Sequence, residues 1–152
     1  MNELTERDRL ARLAKTCAGI NLRRASRAIT NHYDRVFLEA VGLRATQIPP
    51  LVVLYLGGPQ TIQDIAGRLD LDRTTLSRNL KLLEEAGLLT INPGKDQRTR
   101  LAALTQKGEE VLVKALPVWE EAQSQVVSGL GEARFSALLD RLSEVAEMAG
   151  EP

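Results

Sequence analysis

Residues 61–104, TIQDIAGRLDLDRTTLSRNLKLLEEAGLLTINPGKDQRTRLAAL, decide the fold. The stretch begins with apolar residues at helical spacing, Ile62, Ile65, Ala66 and Leu69. This spacing predicts a short helix, for which Thr61 is the N-cap and Asp64 completes a capping-box pattern. A three-residue turn then leads into a second helix, and Asp72 is placed to cap it.

The segment 88–104 that follows predicts a β-hairpin, because two apolar runs flank a basic tip containing Pro93 and Gly94. Helix, tight turn, helix and hairpin, in this order, are the layout of a winged helix-turn-helix. In helix-turn-helix proteins the second helix lies in the major groove of DNA. The polar residues of the second helix therefore decide whether this segment reads DNA.

The second helix separates into a buried stripe and a polar outer side. Leu76, Leu80 and Leu83 form the stripe, and Gly87 follows where the end of a helix favours a left-handed glycine. The candidate DNA-contacting residues lie on the outer side and in the first turn: Arg73, Thr74, Thr75, Ser77, Arg78, Asn79 and Lys81. Arginine donates two hydrogen bonds to guanine, whereas threonine, serine and asparagine suit base edges or phosphate oxygens.

An ordinary amphipathic helix also carries polar residues on its outer side. Here the outer side of the first two turns has no acidic residue, since Glu84 and Glu85 follow only at the far end. The wing adds the candidates Lys95, Asp96, Arg98 and Arg100. Residues 73–100 hold six basic residues against three acidic ones, although the net charge of the whole chain is zero. This distribution favours a DNA-binding surface over a solvated face.

Three segments resemble the MarR (multiple antibiotic resistance regulator) family of bacterial transcription regulators, and the resemblance extends over roughly residues 17–145. The segment 43–56, LRATQIPPLVVLYL, is similar to the helix that precedes the family's helix-turn-helix, and 61–89 is similar to the helix-turn-helix itself. The family's wing pattern is matched by Asp96, Arg98, Leu104, Thr105 and Gly108. The resemblance implies a homodimeric, sequence-specific regulator that binds a palindromic operator in duplex DNA. We expect it to be a repressor, and the sequence leaves activation open as the alternative.

The resemblance also implies roles for single residues. Arg98 would reach into the minor groove, and Asp96 would pair locally to hold a wing arginine. Arg44 is a departure, because many relatives carry there the threonine that caps the next helix. We expect Thr46 to cap that helix instead, so that only Pro50 loses a regular helical hydrogen bond.

The segments that flank the winged lobe, 46–104, predict long helices. Residues 4–39 and 105–148 carry apolar residues in helical patterns. The small lobe cannot cover all of them, so we expect these helices to pack against a second copy in a two-fold dimer. The predicted fold is one domain over 1–152, mainly α with a small β-wing, in which N- and C-terminal dimerisation helices accompany the lobe.

Composition and charge patterning agree with a small cytoplasmic protein. No apolar run approaches the roughly 20 residues that cross a bilayer, and the charged start MNELTERDRLARLAK is unlike a signal peptide. One cysteine forms no internal disulfide, which fits a reducing compartment. Residues 7–35 hold eight basic residues against two acidic ones, and 105–152 hold four against nine. The acidic end should face away from DNA.

The sequence lacks the motifs of an enzyme. It has no phosphate-binding glycine-rich loop and no cluster of metal ligands, and His32 is its only histidine. We therefore expect no catalysis, no cofactor and no bound metal. The alternative to a DNA-binding regulator is a winged-helix module that binds a protein partner, and the basic residues at both helix and wing argue against it.

The sequence leaves open whether a ligand, oxidation or nothing modulates the protein. Cys17 is a candidate peroxide-reactive thiol or a small buried residue of the dimer core. Tyr33, sixteen residues further on, would lie about 160° around a continuous helix, which favours the buried residue. The resemblance implies an anionic aromatic ligand between the dimer helices and the lobe. Arg23 and Arg27 are candidates to hold its carboxylate, or they belong to a solvated basic face.

Overall fold

The computed structural model describes residues 5–94 and 99–150. Over these residues the elements in chain order are α1 (Glu6–Thr16), α2 (Ala18–Val41), the 3-10 turn η1 (Ala45–Gln47), α3 (Ile48–Gly57), β1 (Gln60–Thr61), α4 (Ile62–Leu69), α5 (Arg73–Glu85), β2 (Leu89–Pro93), β3 (Arg100–Leu104), α6 (Gln106–Leu130) and α7 (Glu132–Gly150). The predicted fold, mainly α with a small β-wing, is confirmed.

The core of the winged lobe consists of aliphatic side chains from α3, α4, α5 and β2. Its largest fully buried members are Leu51, Leu54, Ile65, Leu76, Leu80, Leu83 and Leu89. The predicted leucine stripe of α5 is therefore confirmed. Burying one such side chain stabilises the fold by about 1.5–3 kcal/mol, so this stripe holds α5 against the lobe and turns its opposite side outward.

Both predicted N-caps of the helix-turn-helix form. The Thr75 N–H donates to Asp72 Oδ1 over 2.9 Å at the start of α5. The Asp64 N–H donates to Thr61 Oγ1 over 3.0 Å at the start of α4. The Asp64 carboxylate accepts from the Thr61 hydroxyl, so only half of the predicted capping box forms. Thr61 is at the same time part of β1, a strand that the sequence did not predict.

The end of α5 has the predicted glycine geometry. Gly87 has a φ of 72°, in the left-handed region. The Leu88 N–H donates to the Leu83 carbonyl over 2.9 Å, and the Gly87 N–H donates to the Glu84 carbonyl over 2.8 Å. This pair of bonds is the Schellman motif, which satisfies carbonyls that a helix end leaves free. It turns the chain sharply from α5 into the first wing strand.

The wing is the predicted hairpin, extended by a third strand. β2 pairs with β3 in antiparallel register from Leu89 with Leu104 to Pro93 with Arg100, and β1 pairs with the other edge of β3. The Gly94 N–H donates to the Thr99 carbonyl over 2.8 Å below the tip. The sheet therefore attaches the wing directly to the start of α4.

The prediction that Thr46 caps the helix after Gly42 is wrong. Thr46 lies inside η1, and α3 begins only at Ile48. Pro49 and Pro50 therefore both occupy the first turn of α3, where the backbone N–H has no helical partner, and neither costs a helical hydrogen bond. A carboxylate from α2 takes the capping role instead, because Asp34 Oδ1 accepts from the Ala45 N–H over 2.7 Å.

The N-terminal segment is two helices, so the continuous helix assumed around Cys17 is wrong. Cys17 has an extended backbone conformation and ends α1, and α2 starts at the next residue. The Asn21 side-chain amide donates to the carbonyls of Lys15 and Cys17, each over 3.0 Å. The Cys17 carbonyl also accepts from the Asn21 backbone N–H over 3.1 Å, so Asn21 joins the end of α1 to the first turn of α2.

The flanking helices expose most of their apolar residues in the single chain. Neither α1 nor α7 contains a buried residue, and Phe37 is the buried residue of α2. No single helix among residues 5–94 and 99–150 is long and apolar enough to cross a membrane. Residues 18–41 and 45–57 reach the length and apolar composition of a membrane span only when they are taken together, and the two segments are bent by 76° relative to each other.

Candidate nucleic-acid interface

The outer side of α5 forms a shallow, solvent-open groove. It is lined by Arg73, Thr74, Ser77, Arg78 and Lys81. Five of the seven helix residues predicted from the sequence are therefore brought together on one face. The lining consists of cationic and hydroxyl side chains, which donate hydrogen bonds to phosphate oxygens and to base edges.

A second groove joins this face to the wing. It is lined by Thr61, Ile62, Gln63, Asp64, Arg73, Thr99 and Arg100. Arg100 stands at the start of β3, and the β1–β3 pairing places that strand beside the start of α4. The first turn of α5, which is the recognition helix, and the described base of the wing thus face the same space. Lys95, Asp96 and Arg98 of the predicted interface lie outside the described residues.

Two predicted contact residues do not line the groove on α5. Thr75 is exposed, and its backbone N–H is engaged by Asp72 at the N-cap. Asn79 is partly buried, and its side-chain amide donates to the Thr46 carbonyl over 2.6 Å. The geometry therefore assigns Asn79 a contact inside the protein, which its position on a helical wheel does not reveal.

The N-cap residue of α5, Asp72, has a lowered pKa. The Thr75 side-chain and backbone hydrogen bonds hold the pKa of Asp72 below its ordinary value, and the Arg78 charge adds to the effect. The carboxylate is therefore ionised at neutral pH and complements the positive end of the helix. Because the pKa of Asp72 is lower in the folded chain than in the unfolded chain, the ionised cap stabilises the fold at pH values above the unfolded-state pKa. This stabilisation is lost as pH falls through the folded-state pKa.

The structure does not bring Cys17 and Tyr33 together within one chain. Tyr33 is sixteen residues along α2 from the Cys17 cap, a rise of roughly 24 Å. Axial distance, more than rotation around the helix, therefore separates them. The Tyr33 hydroxyl donates to the Gln123 side chain of α6, and desolvation raises the pKa of Tyr33.

Cys17→Ser should leave both operator affinity and the response of DNA binding to mild peroxide unchanged. Cys17 is partly buried at a helix break, so the hydroxyl should cost some stability, because a polar group is placed where a thiol packed. Operator binding by wild type and variant, measured before and after peroxide treatment, checks this. Peroxide release of DNA by the wild type that disappears in Cys17→Ser would contradict the expectation.

An apolar cleft between α2, α3 and α6 is the feature that the sequence did not reveal. Two adjoining cavities of about 390 and 410 Å³ share the lining residues Phe37, Ile48, Val52 and Trp119. These residues come from three helices, and no local pattern in the sequence connects those helices. Arg23 and Arg27 are exposed and line neither cavity, so the structure does not place the predicted carboxylate-binding arginines at the cleft.

Comparisons with known proteins agree with this geometry. A helix-turn-helix domain model matches residues 52–92, from α3 to β2. The chain is 38% identical over 88 residues to the uncharacterized HTH-type transcriptional regulator YwoH of Bacillus subtilis (strain 168). That match covers 55% of this chain and 64% of YwoH, so it spans slightly less than two thirds of the relative.

Solved structures extend the similarity over nearly the whole fold. The transcriptional regulator MosR of M. tuberculosis, solved in complex with DNA, is 35% identical, with a TM-score of 0.75. The match covers 88% of this chain and 98% of MosR. The MarR family regulator Sco3205 of Streptomyces coelicolor shares the fold, with a TM-score of 0.78 at 24% identity over 98% of this chain and 94% of Sco3205.

The winged lobe, its basic outer face and these similarities define a DNA-binding transcriptional regulator. The chain belongs to the MarR family. The predicted function as a regulator that binds duplex DNA is confirmed, in preference to a winged module for protein partners. The relatives named above are regulators of transcription and not enzymes.

Proposed function

We propose that the chain is a homodimeric repressor that binds a palindromic operator through α5 and the wing. The observation that carries this proposal is the groove on α5, where three cationic and two hydroxyl side chains share one exposed face. Arg73 belongs to this groove and also to the one that Arg100 lines, so α5 and the base of the wing offer one continuous surface. MosR, similar in sequence and fold, was solved bound to DNA, which supports the same use of this surface.

The dimer proposal is supported by the apolar residues that one chain leaves exposed on its flanking helices. They include Leu10, Leu13, Ile20, Leu22, Leu130, Leu138, Leu139, Leu142 and Met148. A single soluble chain rarely exposes so many large apolar side chains on neighbouring elements. A second copy that packs on α1, α2, α7 and the end of α6 would cover them in a two-fold arrangement. The segments 4–39 and 105–148 then act as dimerisation helices, and 46–104 as the DNA-binding lobe.

We propose that the apolar cleft is where a small ligand modulates DNA binding. The lining of its two cavities is almost entirely apolar, with the Tyr33 phenol in one, the Tyr55 phenol in the other and the Trp119 indole in both. Such a site suits an apolar or aromatic molecule that carries few polar groups. The cleft lies between the helices that we assign to the dimer and the helix that opens the lobe. Because its DNA target is the chromosome, we place the protein in the cytoplasm.

The test is selection of bound genomic fragments by the purified protein, followed by footprinting of the recovered site. Two lobes related by a two-fold axis should protect half-sites whose centres lie about 10 bp apart, or roughly 34–36 Å. Transcription from the neighbouring promoter should fall when the protein is added. Protection of one unpaired half-site, or a protein that stays monomeric at micromolar concentration, would contradict the dimeric repressor.

A further inference from the structure

Asn79 stands on α5 between the DNA-facing Arg78 and the buried Leu80. Its side-chain amide donates to the Thr46 carbonyl over 2.6 Å, across 33 residues of sequence. Within the described part of the chain, this bond ties the recognition helix to η1. The Asn79 amide is directed toward the protein, whereas Arg78 is exposed and lines the groove on α5.

The turn η1 is held from its other side by α2. Asp34 Oδ1 accepts from the Ala45 N–H over 2.7 Å, and Asp34 Oδ2 lies 3.2 Å from Arg44 Nη1. The Asp34 side chain is only 17% exposed, so both contacts are partly shielded from water. The Gln47 side chain also accepts from the Arg44 N–H over 2.8 Å, which closes the turn on itself. A three-residue turn is thus fixed to a flanking helix and to the recognition helix.

We propose that Asn79 is a positioning residue, and that the connection from Asp34 through η1 to Asn79 sets the orientation of α5 relative to α2. This inference rests on the proposed DNA-binding face and dimer. In such a dimer, α2 belongs to the part shared by both copies, so its geometry relative to α5 determines how the two recognition helices are spaced. DNA-contacting side chains act only when their supporting contacts hold them within about 0.5 Å of the productive geometry.

The same connection borders the apolar cleft. Ala45 and Ile48, at the two ends of the turn region, line one of its cavities together with Tyr33 and Phe37. A molecule in that cavity would therefore lie against the residues through which α2 and α5 are joined. In this proposal a ligand in the cavity acts on DNA binding through η1, because neither α5 nor the wing lines that cavity.

The experiment measures operator affinity over a series of salt concentrations for Asn79→Ala, Asp34→Ala and the double variant. Asn79→Ala should weaken specific binding roughly tenfold, since it removes one hydrogen bond. Asp34→Ala should weaken it at least as much, since it removes both the bond from the Ala45 N–H and the ion pair with Arg44. The dependence of log affinity on log salt should keep its slope, because no phosphate contact is removed. The double variant should bind the operator only slightly more weakly than the single variant with the larger loss of affinity. This is expected when both residues belong to one connected series of contacts.

Asn79→Ser is the second variant, because serine keeps a polar group at this partly buried position but is too short to reach Thr46. It should show the same loss of operator affinity, with an unfolding midpoint no lower than that of Asn79→Ala. Unchanged affinity in both Asn79 variants, a salt slope reduced by about one, or a relaxed preference at a single base pair would overturn the positioning role. Additive losses in the double variant would overturn the connection through η1.

Arg78→Ala separates this inference from the proposed DNA face. If Arg78→Ala weakens binding and the Asn79 variants do not, the positioning role fails and the DNA face stands. If Arg78→Ala retains wild-type affinity and base preference, the assignment of the DNA face fails first. In that case the positioning proposal is withdrawn even if the Asn79 variants lose binding, because the proposal rests on that DNA face.

Discussion

Replacing both Leu138 and Leu142 with glutamate should yield a folded monomer whose operator affinity is about 10²- to 10⁴-fold lower, because the second half-site no longer contributes through linkage. In the single chain these side chains are 42% and 40% exposed on α7, which has no buried residue. They therefore contribute little to the fold of one chain, and glutamates there would be desolvated only in a dimer. Sedimentation equilibrium and anisotropy titration with operator DNA measure both effects.

Ser136→Glu is the matched control for this prediction. It adds one glutamate to α7, where the double variant adds two, at an exposed position on a different side of the helix from Leu138. The control should remain dimeric and bind the operator as the wild type does. A leucine double variant that stays dimeric would show that α7 is not part of the interface. A monomer that binds with wild-type affinity would show that pairing of half-sites is not needed.

Arg78→Ala should cost about 1–3 kcal/mol of specific binding and should change the preferred base at one position of each half-site. Arg78 is exposed in the middle of the groove on α5, where a guanidinium is able to donate two hydrogen bonds to one guanine. Competition with a set of operators that vary at each position measures the change in preference. The threonine and serine neighbours lack the paired donors that give this size of discrimination.

Arg100→Ala is the comparison that separates base reading from backbone contact. Arg100 lies at the base of the wing, and we expect it to work through phosphate and groove potential. Its loss should weaken binding about equally for all operators and reduce the salt slope by about one. An Arg78→Ala protein that shows this same pattern, with no change in base preference, would place Arg78 on the phosphate backbone instead.

The elements that the sequence predicted correctly depend on residues that are close together in the chain. Asp72 caps the helix that it immediately precedes, and the same helix ends at Gly87 through two bonds that reach back three and five residues. The leucine stripe of α5 is set by helical periodicity alone. Because each feature needs only a few neighbouring residues, its physical cause is visible in the sequence.

One prediction that failed depended on a partner from another helix, and another depended on a local break in the chain. Thr46 is not a cap because Asp34, on another helix, already binds the start of the turn. The helix assumed through Cys17 is broken there, and the side-chain amide of Asn21 on the next helix donates to the carbonyls of Lys15 and Cys17. The bond from the Asn79 amide to a carbonyl 33 residues away is a further contact between distant residues, and the sequence did not predict it. No periodicity or local motif encodes such pairings.

By itself, the sequence determined the helix-turn-helix, the wing hairpin and the basic outer face of α5, because periodicity, caps and local charge act within one or two turns of chain. Tertiary structure alone decided which polar residues of α5 are free to meet DNA and that an apolar cleft opens between α2, α3 and α6. The reason is physical: the surfaces of a cleft, and the acceptor for Asn79, are supplied by packing between elements far apart in the chain. A side chain's partner is therefore known only once those elements have been brought together.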